Sequence, residues 1–276
     1  MSQTSADSAS NESERPDYSR LFRLDGRTAV VVGGGSGIGR EGALALAAQG
    51  ATVICADRDV AAARETVDLA ARSPGEGELR AYELDVLDES TVARAVTELG
   101  TVDVLVYSAG TNVRKRLLDY TTDDFDRVIG LNLRAAFTTV RAFAPGMAER
   151  GRGSIIGLGS IRSLTVEPGQ SMYAATKAGL LQMFRTVAAE LGPNGVRANV
   201  VAPGVVRTPL TGQIIADQGW ADAYAQKNAF GRWAEPSELA GAIVFLASDA
   251  SSYVTGTQIL VDAGWTAIDG RYTPPS

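Results

Sequence analysis

The chain has 276 residues, of which 45% are hydrophobic and 21% are charged, and its formal net charge at pH 7 is −6. This length suits a single α/β domain with a sizeable core, and the negative charge argues against nucleic acid or an anionic membrane as a partner. The chain contains no histidine. That absence excludes Ser-His-Asp hydrolysis and histidine-ligated metal sites, and we predict no metal site.

The two ends of the chain differ in composition from the rest. Residues 1–19 are rich in Ser, Asp and Glu and almost without apolar residues, which predicts a disordered tail, and residues 269–276, with Pro274-Pro275, are expected to be similarly loose. One catalytic domain is therefore expected over residues 20–268. The first residues resemble neither a signal peptide nor a transit peptide, and no segment is long and apolar enough to cross a bilayer, so we expect a cytoplasmic protein.

The first predicted unit is a strand, a glycine-rich turn and a helix. The β-branched run Thr28–Val32 indicates a buried strand, residues 33–39 a tight turn, and the Ala- and Leu-rich residues that follow a helix. Such a turn lets the backbone approach a pyrophosphate at the positive end of the helix. A second apolar strand ends in Asp57, about twenty residues past the glycines, where a ribose-binding carboxylate is expected. The unit is typical of a dinucleotide site.

Strand and helix patterns alternate along the rest of the domain. Alternation of this kind predicts a single doubly wound Rossmann domain, with a parallel seven-stranded sheet and helices on both faces. Ligands bind such sheets beyond the carboxyl ends of the strands, so Asp57, Gly110, Ser160 and Pro203 are expected to line one crevice. The strands are predicted near residues 28–32, 52–56, 80–84, 102–107, 153–158, 197–202 and 258–261, and the two longest helices over residues 122–150 and 171–191.

The motif Tyr173-Ala-Ala-Thr-Lys177, with Ser160 thirteen positions upstream of the tyrosine, carries candidate acid/base chemistry. A free phenol has a pKa of about 10 and exchanges protons poorly at neutral pH. In a helix, a lysine four residues later lies one turn away on the same face, where its charge lowers the pKa of the tyrosine. A nearby serine hydroxyl could hold a substrate oxygen. The pair alone is also typical of a solvated helix face.

With both motifs placed, residues 21–268 resemble the short-chain dehydrogenase/reductase family. The resemblance rests on the glycine turn, Leu84-Asp85-Val86, Ala109-Gly110, the Ser-Tyr-Lys spacing and Pro203-Gly204 with Thr208. It implies a catalytic tetrad of Asn132, Ser160, Tyr173 and Lys177. In these roles Tyr173 exchanges a proton with the substrate oxygen. Lys177 lowers the pKa of Tyr173 and holds the nicotinamide ribose. Ser160 bonds the substrate oxygen, and Asn132 anchors a water of a proton relay.

The resemblance also implies a cofactor site made of the glycine turn, the strand ends and the loop after the sixth strand. Its residues are Gly33, Gly35, Ser36, Gly37, Ile38, Gly39, Asp57, Arg58, Asp85, Val86, Ala109, Gly110, Tyr173, Lys177, Pro203, Gly204, Val206 and Thr208. Asp57 favours NAD, because a carboxylate that accepts from the ribose 2′-hydroxyl repels a 2′-phosphate. Ser36 stands where relatives that prefer NADP often carry Lys or Arg. Arg58 and Arg40 keep NADP open as a second possibility.

Three positions depart from the family pattern at one contact. Val32 stands where a threonine commonly precedes the first glycine, and Tyr107-Ser108 replace the usual Asn-Asn before Ala109. In relatives the threonine hydroxyl helps to tie the first strand to that Asn-Asn turn. Both ends of the contact differ here, so we expect local packing to change more than the chemistry.

A small-molecule substrate is expected, with Arg114 and Arg162 as candidate residues for binding its carboxylate. Each arginine could instead be part of a solvated basic loop. Residues 231–233, 238–239 and 261–265 look like those of sugar-acid and polyol dehydrogenases, particularly the gluconate 5-dehydrogenase type. Residues 210–230 are expected to form a lid over the substrate.

Three functions remain open at this point. The first is an NAD-dependent dehydrogenase of a sugar, sugar acid or polyol. The second is an NADPH-dependent reductase of 3-oxoacyl or similar ketones, against which Asp57 and Ser36 count. The third is a dinucleotide-binding regulator without turnover, which has no need of a complete tetrad.

The resemblance further implies a homotetramer. The helix predicted over residues 122–150 has apolar residues three to four positions apart, and that over residues 171–191 is apolar more widely than one core-facing stripe requires. A helix that covers its own sheet and also meets a neighbouring subunit is expected to be apolar on two sides. Four chains related by paired two-fold axes form a closed assembly of this type.

Overall fold

The computed structural model describes residues 17–72 and 75–268. The predicted tails therefore lie outside the described residues, except for residues 17–19. These three begin a short 3-10 helix, Tyr18–Arg20, which Asp17 caps by accepting a hydrogen bond from the Ser19 N–H. Regular structure thus starts two residues before the predicted boundary of the domain.

Seven strands form one parallel sheet in the order β3-β2-β1-β4-β5-β6-β7. Each predicted strand is present, with bounds that differ by two residues or fewer. The strands are β1 Thr28–Val32, β2 Thr52–Asp57, β3 Glu78–Glu83, β4 Val104–Tyr107, β5 Gly153–Leu158, β6 Val196–Pro203 and β7 Gln258–Val261. The sheet order reverses direction between β1 and β4, so a crevice opens there at the carboxyl ends of the strands.

Helices cover both faces of this sheet, as the doubly wound prediction requires. They are α1 Gly37–Ala48, α2 Val60–Ala70, α3 Glu89–Leu99, α4 Thr122–Ile129, α5 Ala135–Glu149, α6 Ser171–Leu191, α7 Gly212–Ile215, α8 Gln218–Ala225 and α9 Ala240–Ala247. Alternate residues of a strand point to opposite faces. In β1, Val30 and Val32 accordingly join the core under α3, α5 and α6, whereas Ala29 and Val31 join the core under α1 and α9.

The helix predicted over residues 122–150 is divided by a π-helical turn, Gly130–Arg134, between α4 and α5. Two contacts hold this turn in a widened form. The Tyr107 hydroxyl donates to the Leu131 carbonyl at 2.6 Å, and the Asn132 side chain bonds the backbone of Thr111. Helical periodicity cannot reveal such a turn, because both partners come from outside the helix. Turns of this type frequently occur at functional sites.

Candidate active site

The glycine turn after β1 packs more tightly than any other residue type would allow. Gly33 has a positive φ of 79°, and a Cβ on it would lie 2.9 Å from the Ala109 nitrogen. A Cβ on Gly39 would lie 2.0 Å from the Gly33 carbonyl oxygen. Side chains at these two positions would push α1 away from the turn and the turn away from the residues after β4.

The N-terminus of α1 faces the crevice without a side-chain cap. Ser36 occupies the capping position with an extended backbone, but its hydroxyl makes no capping hydrogen bond. Ser36, Gly37 and Ile38 all line the cleft. The free N–H groups and the positive end of the helix dipole suit an anion such as a pyrophosphate.

Asp57 ends β2 and is held in place by backbone N–H groups. Its Oδ2 accepts from Gly35 and its Oδ1 from Asp59, each at 3.0 Å. Arg40, a candidate for holding a phosphate, donates instead to the Gly35 carbonyl and forms an ion pair with Glu65. Arg58 is exposed on the wall of the cleft and makes no ion pair with any described residue.

A cleft of about 460 Å³ brings most of the predicted cofactor residues together. The predicted residues that line it are Gly33, Ser36, Gly37, Ile38, Asp57, Arg58, Asp85, Val86, Ala109, Gly110, Ser160, Tyr173, Lys177, Pro203, Gly204, Val206 and Thr208. Gly35 and Gly39 do not line it, because they pack against Asp57 and Gly33 behind the surface. Asn132, Arg114 and Arg162 also lie outside the lining. The lining also contains residues that belong to no predicted cofactor motif and that reach the cleft through the fold: Leu87, Leu131, Leu158, Gly159 and residues 209–211.

Ser160 and Tyr173 meet at the inner end of this cleft. Ser160 is buried in the turn after β5, where its Oγ accepts from the Arg162 N–H at 3.1 Å. This bond uses a lone pair and leaves the hydroxyl proton available for another oxygen. Tyr173 stands in the first turn of α6. The two side chains are within hydrogen-bond reach of each other, so one oxygen of a ligand could contact both hydroxyls.

Burial raises the pKa of Tyr173, because a phenolate is poorly solvated at this position. Three groups oppose this effect and lower the pKa: first the hydrogen bond with Ser160, and then the charges of Arg114 and Arg162. Lys177 is not among them. The two arginines thus carry part of the electrostatic role that we expected of Lys177.

Lys177 is buried beneath Tyr173 on the next turn of α6. Its Nζ donates to the Leu158 carbonyl at 2.6 Å and lies 5.5 Å from the centre of the Tyr173 ring. Burial lowers the pKa of the lysine to about 8. A Cβ on Gly110 would lie 3.7 Å from this Nζ, so the lysine also borders the strand end beyond β4.

Asn132 is 1% exposed and lies at the centre of the π-helical turn. Its Oδ1 accepts from the Thr111 N–H at 2.8 Å, and its Nδ2 donates to the Thr111 carbonyl at 2.9 Å and to Thr176 Oγ1 at 3.2 Å. Both amide hydrogens are thereby used. Only the second lone pair of Oδ1 and the main-chain carbonyl are left to hold a water of the expected relay.

The two candidate substrate arginines have different environments. Arg162 is 8% exposed, forms an ion pair with Glu167 and stacks 5.6 Å from the Trp265 ring. Arg114 forms no ion pair with any described residue, and its Nε is buried without a hydrogen-bond partner. Asn112 Oδ1, two residues before Arg114, and Ser171 Oγ, at the first residue of α6, are also buried without a hydrogen-bond partner. A buried polar atom without a partner is costly to the folded state, so this group of three marks an unusual polar environment beside α6.

The predicted lid is helical and packs on an aromatic cluster. It contains α7 and α8, which reach the cluster through Ile214 and Tyr224. Tyr224 stacks on Trp233 with ring centres 5.7 Å apart and lies 5.6 Å from Trp265. Burial is the main cause that raises the pKa of Tyr224 to about 12, with its hydrogen bond to Glu167 second.

Among the described residues, no helix is both long and apolar enough to span a bilayer.

Comparison with known proteins places this geometry among dehydrogenases and reductases. A family model described as "Enoyl-(Acyl carrier protein) reductase" matches residues 33–266. Galactitol 2-dehydrogenase (L-tagatose-forming) of Cereibacter sphaeroides is 39% identical over 255 residues, 91% of this chain and 99% of the relative. The 3-oxoacyl-[acyl-carrier-protein] reductase of Thermotoga maritima is 37% identical over 249 residues, 88% of this chain and 99% of the relative.

A solved structure shows the same fold with ligands bound. The gluconate 5-dehydrogenase of Burkholderia cenocepacia J2315, in complex with NADP and tartrate, superposes with a TM-score of 0.84 at 33% identity. The match covers 90% of this chain and 98% of that one. The activities named for these relatives share a carbonyl or carbinol centre but differ in substrate.

Proposed function

Since the chain belongs to the short-chain dehydrogenase/reductase family of NAD(P)-dependent oxidoreductases, we propose that it oxidises a secondary alcohol of a sugar acid or related polyol, with NAD as the preferred cofactor. One observation carries this proposal. The acid/base candidate Tyr173 lines a cleft suited to a dinucleotide and is close enough to Arg114 for that arginine to lower its pKa, and the guanidinium of Arg114, which forms no ion pair with a described residue, suits a carboxylate.

The residues of the cleft fit a nicotinamide dinucleotide. The uncapped N-terminus of α1 suits the pyrophosphate, and Asp57 borders the same cleft beyond it, where its remaining lone pairs can accept from a ribose hydroxyl. Lys177, with a charge buried next to the strand ends, suits the second ribose. Bound there, the nicotinamide supplies the hydride acceptor or donor that no side chain can provide.

The chain's own residues manage the proton of the substrate oxygen. In alcohol oxidation the phenolate of Tyr173 takes the hydroxyl proton, and Ser160 donates a hydrogen bond to the same oxygen. In ketone reduction Tyr173 returns the proton. The charges of Arg114 and Arg162 lower the pKa of Tyr173, which favours the phenolate form. Asn132 connects Thr111 to Thr176 on α6 and so holds the wall of the site behind Lys177.

Preference for NAD over NADP follows from Asp57. Its carboxylate is fixed by two backbone N–H groups and cannot swing away from a 2′-phosphate without breaking them. Arg40 is committed to Gly35 and Glu65. Arg58 remains as the one candidate residue near Asp57 with a free positive charge, so weak use of NADP is expected beside NAD.

A polyhydroxylated acid suits the substrate side better than an acyl chain. Arg114 forms no ion pair with any described residue, and its guanidinium suits a carboxylate better than methylene groups. The relatives named for galactitol and for gluconate act on molecules of this kind. Reduction of a 3-oxoacyl thioester with NADPH is the second candidate, which the Thermotoga maritima relative and the free Arg58 favour.

A substrate screen tests these alternatives. The purified protein is assayed for cofactor reduction with NAD and with NADP against polyols, aldonates and 3-hydroxyacyl thioesters. We expect the highest kcat/KM for an aldonate or polyol with NAD. Turnover confined to thioesters with NADP would replace the first proposal by the second, and binding of NAD without turnover of any substrate would indicate a regulator.

We further propose a homotetramer that works in the cytoplasm, where its nicotinamide cofactor is available. Support comes from large apolar side chains that the core leaves uncovered. Phe125 on α4 and Phe137 on α5 are 43% and 48% exposed, and Leu260 on the edge strand β7 is 41% exposed. Light scattering at micromolar concentration tests the assembly. A clean monomer of 28.9 kDa would refute it and leave the oxidoreductase proposal intact.

A further inference from the structure

The Glu167 carboxylate connects three parts of the substrate side. It forms an ion pair with Arg162, which follows the catalytic serine turn, and accepts from Gln170 Nε2 at 2.6 Å, just before α6. Its Oε2 also accepts from the Tyr224 hydroxyl on α8 at 2.5 Å. Gln170 in turn accepts from Asn112 Nδ2 at 2.9 Å. Glu167 belongs to none of the family motifs, and it takes no part in the proton transfer between Tyr173 and the substrate oxygen.

The charges around the reacting oxygen are unequal because of Glu167. Arg114 and Arg162 are both close enough to lower the pKa of Tyr173 and of Tyr224. Glu167 neutralises Arg162 at ion-pair distance, while no carboxylate in residues 17–72 and 75–268 forms an ion pair with Arg114. The three side chains together carry one net positive charge, and Arg114 holds the only part of it that is free to bind.

We propose that Glu167 determines the charge of the substrate: by neutralising Arg162 it leaves Arg114 as the one of these two arginines without a carboxylate partner, so the site selects a monocarboxylate over a dianion. The inference rests on the proposed function and deepens it. A dianion of the same length would bring its second negative group toward an arginine that is already paired. Binding it would require breaking the Arg162–Glu167 pair or placing two negative groups together.

The proposal predicts how the uncharged isostere behaves. Glu167→Gln retains oxygen and nitrogen atoms for Tyr224, Gln170 and Arg162 but removes the negative charge. Arg162 then becomes a second free cation beside Arg114. One extra unit charge near a partly buried ligand changes relative affinity by about tenfold, so the preference for monoanion over dianion falls by about that factor.

The test uses three six-carbon ligands that differ mainly in charge: D-glucitol, D-gluconate and D-glucarate. Their kcat/KM values are measured with NAD for wild type and Glu167→Gln, and their binding to the NAD-loaded protein is measured by calorimetry. Binding is included so that the outcome does not depend on turnover. Glu190→Gln is the matched control, because Glu190 is exposed on α6 and makes no ion pair with a described residue.

The expected result is a wild type that prefers gluconate, a Glu167→Gln variant whose gluconate-to-glucarate ratio falls about tenfold, and an unchanged ratio in Glu190→Gln. A ratio within twofold of wild type in Glu167→Gln would overturn the inference. Absence of turnover with a shifted binding ratio would refute the proposed function and support the charge selection.

A second variant keeps the test decisive if Glu167→Gln does not fold. Arg162→Gln leaves Glu167 unpaired and brings the net charge of the three positions to zero. The advantage of gluconate over glucitol is then expected to shrink by about tenfold. The double variant Arg162→Gln/Glu167→Gln restores one net positive charge. It is therefore expected to recover the advantage of gluconate over glucitol. Failure of the double variant to recover the advantage would contradict selection by charge.

Discussion

One half of the active-site region is formed mainly by backbone groups and the other mainly by side chains. The half suited to the cofactor consists largely of backbone: glycines that tolerate no Cβ, the uncapped N-terminus of α1 and an Asp57 held by two N–H groups. The half suited to the substrate consists of side chains from distant segments, with Glu167 at their centre. In the second half Asn112, Arg114 and Ser171 each have a buried side-chain polar atom without a hydrogen-bond partner, and no residue named in the first half has one.

This difference explains how one fold serves many substrates. A backbone cradle depends on a few glycines and a helix end, so side-chain changes elsewhere in the fold leave it intact. A side-chain network can be altered one residue at a time without moving the sheet. The relatives named for galactitol, gluconate and an acyl carrier protein share the fold and differ in substrate accordingly.

The largest expected effect lies where the two halves meet. Tyr173→Phe retains the ring packed over Lys177 but removes the ionisable oxygen. We expect kcat to fall by roughly 10²–10⁴-fold while NAD binding persists, because a positioned acid/base contributes about that much. Steady-state kinetics with calorimetry of NAD binding checks this. Retention of more than about a tenth of wild-type turnover would remove Tyr173 from the proton transfer.

Because the glycine turn is closely packed, one added methyl group in it is expected to disturb the packing. Gly39→Ala places a Cβ 2.0 Å from the Gly33 carbonyl oxygen, so α1 or the turn must move. We expect a loss of about 1–3 kcal/mol in the free energy of unfolding, together with weaker NAD binding. Gly241→Ala on α9 is the control, since a Cβ there meets nothing within 4 Å. Denaturant titration is expected to show a gain of about 0.5–1 kcal/mol for the control, and equal behaviour of the two variants would contradict the tight packing.

Asp57 is the side chain on which the cofactor half depends. Asp57→Ala removes both the ribose acceptor and the charge that repels a 2′-phosphate, so the KM for NAD is expected to rise roughly tenfold and discrimination against NADP to weaken. Arg58→Ala is the companion variant and is expected to reduce only the residual use of NADP. A wild type that already prefers NADP would show that Arg58, and not Asp57, governs the choice.

The smallest expected effect tests electrostatic contact between the substrate half and Tyr173. Alcohol oxidation needs the phenolate, so its rate rises with pH through the pKa of Tyr173. Arg114 lowers that pKa, and Arg114→Gln is therefore expected to move the rising limb to higher pH. A neutral polyol is the substrate, so that lost carboxylate binding does not enter. Arg116→Gln, at an exposed position nearby, is expected to leave the limb in place, and a shift toward lower pH in Arg114→Gln would contradict the assignment.

Sequence patterns predicted the fold nearly completely, and they predicted that most of the cofactor candidates would lie together at the strand ends, because both depend on local signals. The strand bounds, the glycine turn and Asp57 follow from runs of β-branched residues, turn glycines and fixed spacing. Both ends of α6, Ser171–Leu191, also agree with the predicted helix. Such features need no knowledge of which distant segments will meet.

The substrate half could not be predicted in the same way. The π-helical turn depends on Tyr107 and Thr111, which lie more than twenty residues before Asn132 and show no helical period with it. The pairing of Arg162 with Glu167, and the lack of a partner for Arg114, exist only once the loop before α6 and the lid have packed together. A tyrosine in place of the usual asparagine at position 107 was the one available signal, and its meaning required the partner carbonyl of Leu131.

Transfer of hydrogen from a substrate carbon to the cofactor is measured most directly with isotope. The wild-type protein is mixed in a single turnover with NAD and the most active polyol or aldonate, deuterated at every carbinol carbon, and the reduced cofactor is analysed by mass spectrometry. We predict one deuterium in the reduced nicotinamide with the wild type and almost no reduced cofactor with Tyr173→Phe. Reduced cofactor without deuterium, or no reduced cofactor with any polyol or aldonate, would contradict the proposed oxidation.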